Sequence, residues 1–258
     1  MKTALITGAS SGIGLELSNI HARNSDNLVL VARSEQKLEK LATELESRFK
    51  IQVEVIAKDL SKTNSAQEVF DLVNSKGITI DYLINNAGFG DYGSFSETEW
   101  NKENNMIQLN ITALTQLTKL FLPGMIKRKS GKIMNVASIA SFLPGPLMAV
   151  YYATKAYVLN FSEAINNEVA HHNISVTALC PGPTTSGFQS AANLGESKLF
   201  SKGNFPSSKE VSEYGYKAMM KGKSVAIHGT SNKFMVFLLR FTPRSWIVKI
   251  VRKMQEKK

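Results

Sequence analysis

The chain has 258 residues and a mass of 28.4 kDa, and it is 43% hydrophobic and 20% charged. That composition excludes a disordered, collagenous or low-complexity polymer and leaves room for one compact domain plus at most a short appendage. The net charge of +10 sits at one end: residues 1–195 carry 17 Lys+Arg against 17 Asp+Glu, and residues 196–258 carry 14 against 4.

In chain order, Ala4–Ile6 reads as a buried strand that runs into Gly8, and Ile13, Leu17, Ile20 and His21 follow at helical spacing. The same alternation continues with strands at 28–31, 53–56, 82–84, 132–136 and 175–179. Between them the spacing predicts helices at 35–49, 66–75, 97–121 and 151–171, and a further helix at 211–220 leads to a strand at 224–227. Continuous apolar strands alternating with amphipathic helices predict an α/β fold: a Rossmann-like, doubly wound parallel sheet in three αβα layers. The expected organisation is one catalytic domain over residues 1–230, with a Ser-, Ala- and Lys-rich flap at 183–208, and a basic helical extension over 231–258.

Cys180 has no partner for an internal disulfide, and Gly8 cuts the N-terminal apolar run short of a secretory leader, so the expected compartment is the cytoplasm. Phe234–Leu239 is interrupted by Arg240 and falls far below the roughly 20 residues that cross a bilayer.

In open parallel sheets, ligands sit beyond the carboxyl ends of the strands. There, Thr7-Gly8-Ala9-Ser10-Ser11-Gly12-Ile13-Gly14 places three glycines where the first strand turns into the first helix. Backbone N–H groups and a positive helix end approach a pyrophosphate only where no Cβ intervenes. Ala32 stands where an NAD site wants a carboxylate for the ribose 2′-hydroxyl, and Arg33 follows, so the expected cofactor is NADP.

Tyr151 and Lys155, four apart on a predicted helix, share one face, and Ser138 follows the 132–136 strand on a loop that can reach them. Before desolvation is charged against it, an ammonium ~4 Å from a phenol favours phenolate by roughly 4 kcal/mol, and the expected net fall in pKa is about two pH units. Ser138 would then hold a carbonyl oxygen while Tyr151 protonates it and hydride arrives from the opposite side. Only Tyr151 has the spacing to Lys155; Tyr152 points about 100° away, towards packing or a subunit contact.

Together with Asn85-Asn86-Ala87-Gly88, Asn110 and the Pro181-Gly182 turn, these motifs resemble the single-domain branch of the short-chain dehydrogenase/reductase family. The resemblance runs over residues 3 to about 186. It implies that Ser138, Tyr151 and Lys155 are catalytic and that Asn110 keeps a water relaying protons to Lys155. For the cofactor it implies contacts from Gly8, Ser10, Ser11, Gly12, Ile13, Gly14 and Arg33, from Asp59 and Leu60 at the adenine, and from Asn85 to Gly88 beneath the ribose. Tyr151, Lys155, Pro181, Gly182 and Thr184 complete that set; after the PG turn, Thr184 and Ser186 stand where the family often has Val and Thr. The resemblance further implies a homodimer or homotetramer built through the long central helices.

Aromatic and aliphatic content at 90–93, 142–146 and 188–205 suggests a hydrophobic carbonyl or alcohol substrate. A rival reading is a nucleotide-binding redox sensor or scaffold, against which the intact Ser138, Tyr151 and Lys155 argue. In the tail, Pro243 opens a helix on which Trp246, Ile247, Ile250, Val251 and Met254 form a stripe, with Lys249, Arg252, Lys253, Lys257 and Lys258 on other sides. That stripe either packs on the domain or a partner subunit, or lies at an anionic membrane surface as a peripheral contact. No nucleic-acid module appears. The four histidines lack metal-ligand spacing, and no metal is expected.

Overall fold

A computed structural model of the chain describes residues 1–185 and 205–256. Ser186, most of the expected flap, Lys257 and Lys258 lie outside the described residues. Seven parallel strands form one sheet: β1 (Thr3–Thr7), β2 (Asn27–Ala32), β3 (Val53–Ala57), β4 (Tyr82–Asn85), β5 (Gly131–Val136), β6 (Ile174–Cys180) and β7 (Val225–Ile227), in the order β3-β2-β1-β4-β5-β6-β7. The order reverses between β1 and β4, which opens a crevice at their carboxyl ends. The fold is therefore the expected Rossmann-like α/β architecture.

Register and side-chain alternation build the core. Leu5, Val29, Leu83, Ile133 and Val176 pair across five strands in one row. All five are fully buried on the same face. Their neighbours Ala4, Ile6, Leu28, Leu30 and Ile84 point to the other face. Each large side chain removed from water in this way contributes about 1.5–3 kcal/mol, and both faces must be covered.

One face takes α1 (Gly12–Arg23), α2 (Glu35–Phe49) and α7 (Ser208–Met220), which starts at a reciprocal capping box between Ser207 and Glu210. The other takes α3 (Ser65–Ser75) and α5 (Leu114–Arg128), and α6 (Ala149–Val169) lies beside β5 and β6. The helix expected at 97–121 is α4 (Trp100–Ile107) running on through a π-helical segment, Gln108–Ala113, into α5. It passes Pro123 because that residue is exposed, where water can take the carbonyl that proline leaves without a donor.

Beyond β7 the chain forms α8 (Thr230–Leu238), a 3-10 turn at Leu239–Phe241, and α9 (Arg244–Gln255). The helical extension expected over 231–258 is thus two helices, and the apolar stripe read from the sequence lies on the second. Ile247 and Val251 of α9 are buried against Met106, Met148, Tyr151 and Tyr152.

Candidate active site

The crevice continues into a cavity of about 1530 Å³, bounded at one end by the β1–α1 turn and at the other by α8 and α9. At the first end Gly8 and Gly12 adopt φ of +66° and +56°, conformations that favour glycine. A Cβ on Gly8 would fall 2.8 Å from Asn86 Nδ2, and one on Gly14 would fall 2.3 Å from the Gly8 carbonyl oxygen. Gly8, Ser10, Ser11, Gly12 and Ile13 line the cavity. Gly14 does not: it permits close packing of α1 on the turn. Asn86 ties the turn to β4 by donating from Nδ2 to the Thr7 carbonyl (2.9 Å) and from its N–H to Thr7 Oγ1 (2.9 Å). This glycine cradle, a turn which a side chain at residue 8 or 14 would push out of shape, fits the pyrophosphate of a dinucleotide.

Further along the same wall lie Arg33, Lys37 and Lys58, with Asp59 and Leu60 opposite the turn. Burial works to raise the Asp59 carboxyl, but donation from the Ser61 hydroxyl and N–H, with the charges of Arg33 and Lys62, holds it below the usual carboxylate range. Lys58 pairs with Glu68 at 2.7 Å, whereas Arg33 and Lys37 have no carboxylate within 4.0 Å among the described residues. Lys37 and Lys58 had not been singled out; the signal was a second cation on the first turn of the helix after Arg33.

Ser138, Tyr151 and Lys155 converge in the middle of the cavity. Extended backbone at Ser138 ends β5 and lets its Oγ accept from the Ala140 N–H at 3.1 Å, capping a 3-10 turn. Tyr151 and Lys155 stand one turn apart on α6, both buried, and Ser138 hydrogen-bonds the Tyr151 phenol.

The electrostatics correct the expected direction. Burial pushes the Tyr151 phenol well above its ordinary range, and only the hydrogen bond with Ser138 pulls it back. The Lys155 ammonium is 5.9 Å from the centre of the Tyr151 ring and donates to the Val136 carbonyl oxygen at 2.7 Å. Burial brings Lys155 down to about 8. Desolvation, the largest cause acting on the phenol, sets its direction.

Asn110 lies behind this pair. It is buried within the π-helical segment, one layer behind the cavity wall. Its Oδ1 accepts from the Phe89 N–H (3.2 Å), and its Nδ2 donates to the Phe89 carbonyl (3.0 Å) and to Thr154 Oγ1 (3.1 Å). Both amide protons therefore go to protein, and the side chain clamps Phe89. Gly88 lets this happen, since a Cβ there would fall 3.0 Å from Asn110 Oδ1 and 3.4 Å from Lys155 Nζ.

Asn85 is the other departure. Its Nδ2 donates to Asn135 Oδ1 (2.9 Å) and Thr118 Oγ1 (3.1 Å) in a buried network away from the cavity. Asn86, Ala87 and Gly88 do line it.

At the far end Pro181, Gly182 and Thr184 form the floor, and Asn232 of α8 lies over Gly182, where a Cβ would come within 2.6 Å of Asn232 Nδ2. Leu143, Met148, Phe234, Leu238, Ile250 and Met254 make the walls apolar. Tyr152 accepts from Gln255 Nε2 at 2.7 Å, and the Tyr92 hydroxyl donates to the Gln255 carbonyl. The tyrosine beside Tyr151 thus packs on α9, as one of its two expected roles. Asn232, Gln255 and the α8 residues were missed because nothing local in the sequence marks which helix folds back over a PG turn.

The short chain dehydrogenase family matches residues 2–197. The very-long-chain 3-oxoacyl-CoA reductase of Phaeosphaeria nodorum is 37% identical over 179 residues, 67% of this chain and 52% of that protein. Its counterpart from Homo sapiens is 31% identical over 184 residues, 69% of this chain and 58% of that one. The chain thus spans between half and three fifths of the length of these relatives. Among solved structures, a short-chain dehydrogenase from Sphingobium yanoikuyae in complex with NADPH superposes with a TM-score of 0.84 at 30% identity, covering 93% of this chain and 94% of that one. A bulky-bulky ketone specific alcohol dehydrogenase from Comamonas testosteroni gives 0.80 at 30% identity, covering 93% and 92%.

Proposed function

This chain belongs to the short-chain dehydrogenase family, and we propose that it is an NADP-dependent oxidoreductase that reduces a ketone flanked by long or bulky apolar groups to a secondary alcohol. The observation that carries this reading is the single cavity that joins the glycine cradle, Ser138, Tyr151 and Lys155, and an apolar far end. Names of relatives, which act on very-long-chain 3-oxoacyl-CoA, and of a neighbour specific for bulky ketones support a 3-oxoacyl thioester or similar ketone as substrate.

When bound, the reduced nicotinamide supplies hydride to the carbonyl carbon. The chain's own groups supply the rest. Burial keeps the Tyr151 phenol protonated at neutral pH, which suits a group that must give a proton to a developing alkoxide. Ser138, already hydrogen-bonded to that phenol, holds the substrate oxygen beside it. Lys155 carries the nearest buried cation and favours the phenolate left after transfer. Asn110 is a positioning residue that fixes Phe89 against this group.

NADP is preferred over NAD because Arg33 and Lys37 line the wall beside Asp59 with no ion-pair partner among the described residues, ready for a 2′-phosphate. The neighbour in complex with NADPH supports the same choice. Residues 1–230 form the catalytic domain and 231–258 its helical extension. The protein works in the cytoplasm as a homodimer or homotetramer, with residues 243–258 in peripheral contact with an anionic membrane; the exposed cations of α9 support this last element.

The test is a panel of long-chain 3-oxoacyl thioesters and bulky ketones incubated with the protein and NADPH or NADH, read as loss of reduced-nucleotide absorbance. Turnover with NADPH on at least one apolar ketone is expected. No oxidation of either nucleotide across the panel overturns the proposal.

A further inference from the structure

We infer that α8 and α9 together form a seat on an anionic lipid bilayer and that the cavity opens through this seat, so that apolar substrate enters from the lipid. The inference rests on the reductase reading for the substrate, but the seat itself stands on separate observations.

The first observation is an apolar surface on two successive helices. On α8 and the turn after it, Phe234, Phe237, Leu238 and Phe241 recur at i, i+3, i+4 and i+7, and all four are exposed, Phe241 by 73%. On α9, Ile247, Val251 and Gln255 face the core, while Trp246, Ile250 and Met254 form the adjacent stripe and stay exposed, Trp246 by 63%. So large an apolar patch on a soluble surface marks a contact site.

The second is charge. Lys233, Arg240, Arg244, Lys249, Arg252 and Lys253 are all exposed on the same two helices and the turn between them, and Glu256 is the one carboxylate in residues 230–256. Lys249 and Lys253 border the Trp246 side of the α9 stripe. Cations flanking a Trp-bearing apolar stripe match the headgroup region of an anionic bilayer, where each adds about fivefold to partitioning. A second copy of this equally basic surface would be repelled. No helix of the described residues is long and apolar enough to cross a membrane.

The third is continuity. Phe234, Leu238, Ile250 and Met254 belong to the exposed patch and also line the cavity that holds Tyr151. The rim of the active site and the apolar surface are thus the same side chains. A long-chain ketone dissolved in lipid reaches the cavity without crossing water.

The experiment pairs vesicle flotation with kinetics for the full chain and for a Phe241→Ser, Trp246→Ser variant, neither residue lining the cavity. Vesicles of phosphatidylcholine with 30% phosphatidylglycerol, about one charge in three lipids, are compared with pure phosphatidylcholine. The full chain is expected to float with the anionic vesicles and at least tenfold less with neutral ones, and the variant to lose flotation. With NADPH, the variant is expected to keep its rate on a short water-soluble ketone and to lose at least tenfold on a long-chain ketone carried in anionic vesicles. Failure of the full chain to float overturns the seat, as does sizing chromatography in which the variant falls from dimer to monomer without any change in flotation. Flotation with equal loss on both ketones, or with no loss on either, overturns delivery through the lipid. If neither ketone is reduced by the full chain, the reductase reading fails, and delivery with it, while flotation still decides the seat.

Discussion

Lys155 donates from its buried ammonium to the main-chain carbonyl of Val136 at 2.7 Å. The carbonyl belongs to the last residue of β5, two before Ser138, so the strand end that presents Ser138 also anchors the cation.

Burial lowers Lys155 to about 8, whereas in the unfolded chain it titrates near 10.5. Between those values the unfolded chain binds more protons, so this group makes stability rise with pH across that window, by on the order of 3 kcal/mol in all. Cys180, pushed up to about 12 from 9.0 mainly by burial, acts in the opposite sense above pH 9. Denaturant unfolding of the nucleotide-free protein between pH 7 and 10.5 is expected to show a slope that Lys155→Met shifts downward, because that variant has no buried ammonium to relieve. Identical slopes for both proteins would mean that Lys155 is solvated in the folded state.

Among the described residues Arg33 has no carboxylate within 4.0 Å, and it lies at the wall where a 2′-phosphate is expected. Arg33→Ala is predicted to weaken NADPH binding about tenfold or more, roughly 1.4 kcal/mol, and to leave NADH within about twofold. Titration calorimetry with each nucleotide reads the difference. Equal losses would place the 2′-phosphate elsewhere.

A Cβ at residue 14 falls 2.3 Å from the Gly8 carbonyl, and backbone cannot give way as a flexible side chain would. Gly14→Ala is therefore expected to cost about 1–3 kcal/mol of stability and to weaken either nucleotide, because the turn must shift. Thermal unfolding with and without NADPH checks this. A variant as stable as the parent would show that α1 slides without penalty.

Much of this site was legible before the fold was known, and the reasons are local. Glycines at 8, 12 and 14 answer a constraint of a few ångströms within one turn, and the four-residue spacing of Tyr151 and Lys155 fixes a shared helix face wherever that helix lies. Alternating strand and helix patterns gave the sheet its parallel layers. What escaped depends on packing between segments far apart in the chain. The clamp of Asn110 on Phe89 needs a π-helical segment that no residue pattern announces. The placement of Asn232 over Gly182 needs α8 to fold back beyond β7. Gln255 meets Tyr152 across a separation of 103 residues. The size of the desolvation cost at Tyr151 escaped for the same reason: attraction to a cation can be read from spacing, but desolvation depends on everything packed around the ring.

The central claim is that a buried, protonated Tyr151 delivers the proton while the rest of the cavity holds the nucleotide. Tyr151→Phe removes one oxygen from a site whose walls stay in place. Measured side by side, turnover with NADPH and a reducible apolar ketone is expected to fall by about a thousandfold or more, with NADPH affinity within about threefold of the parent. Turnover within tenfold of the parent, with NADPH still bound, would contradict the account.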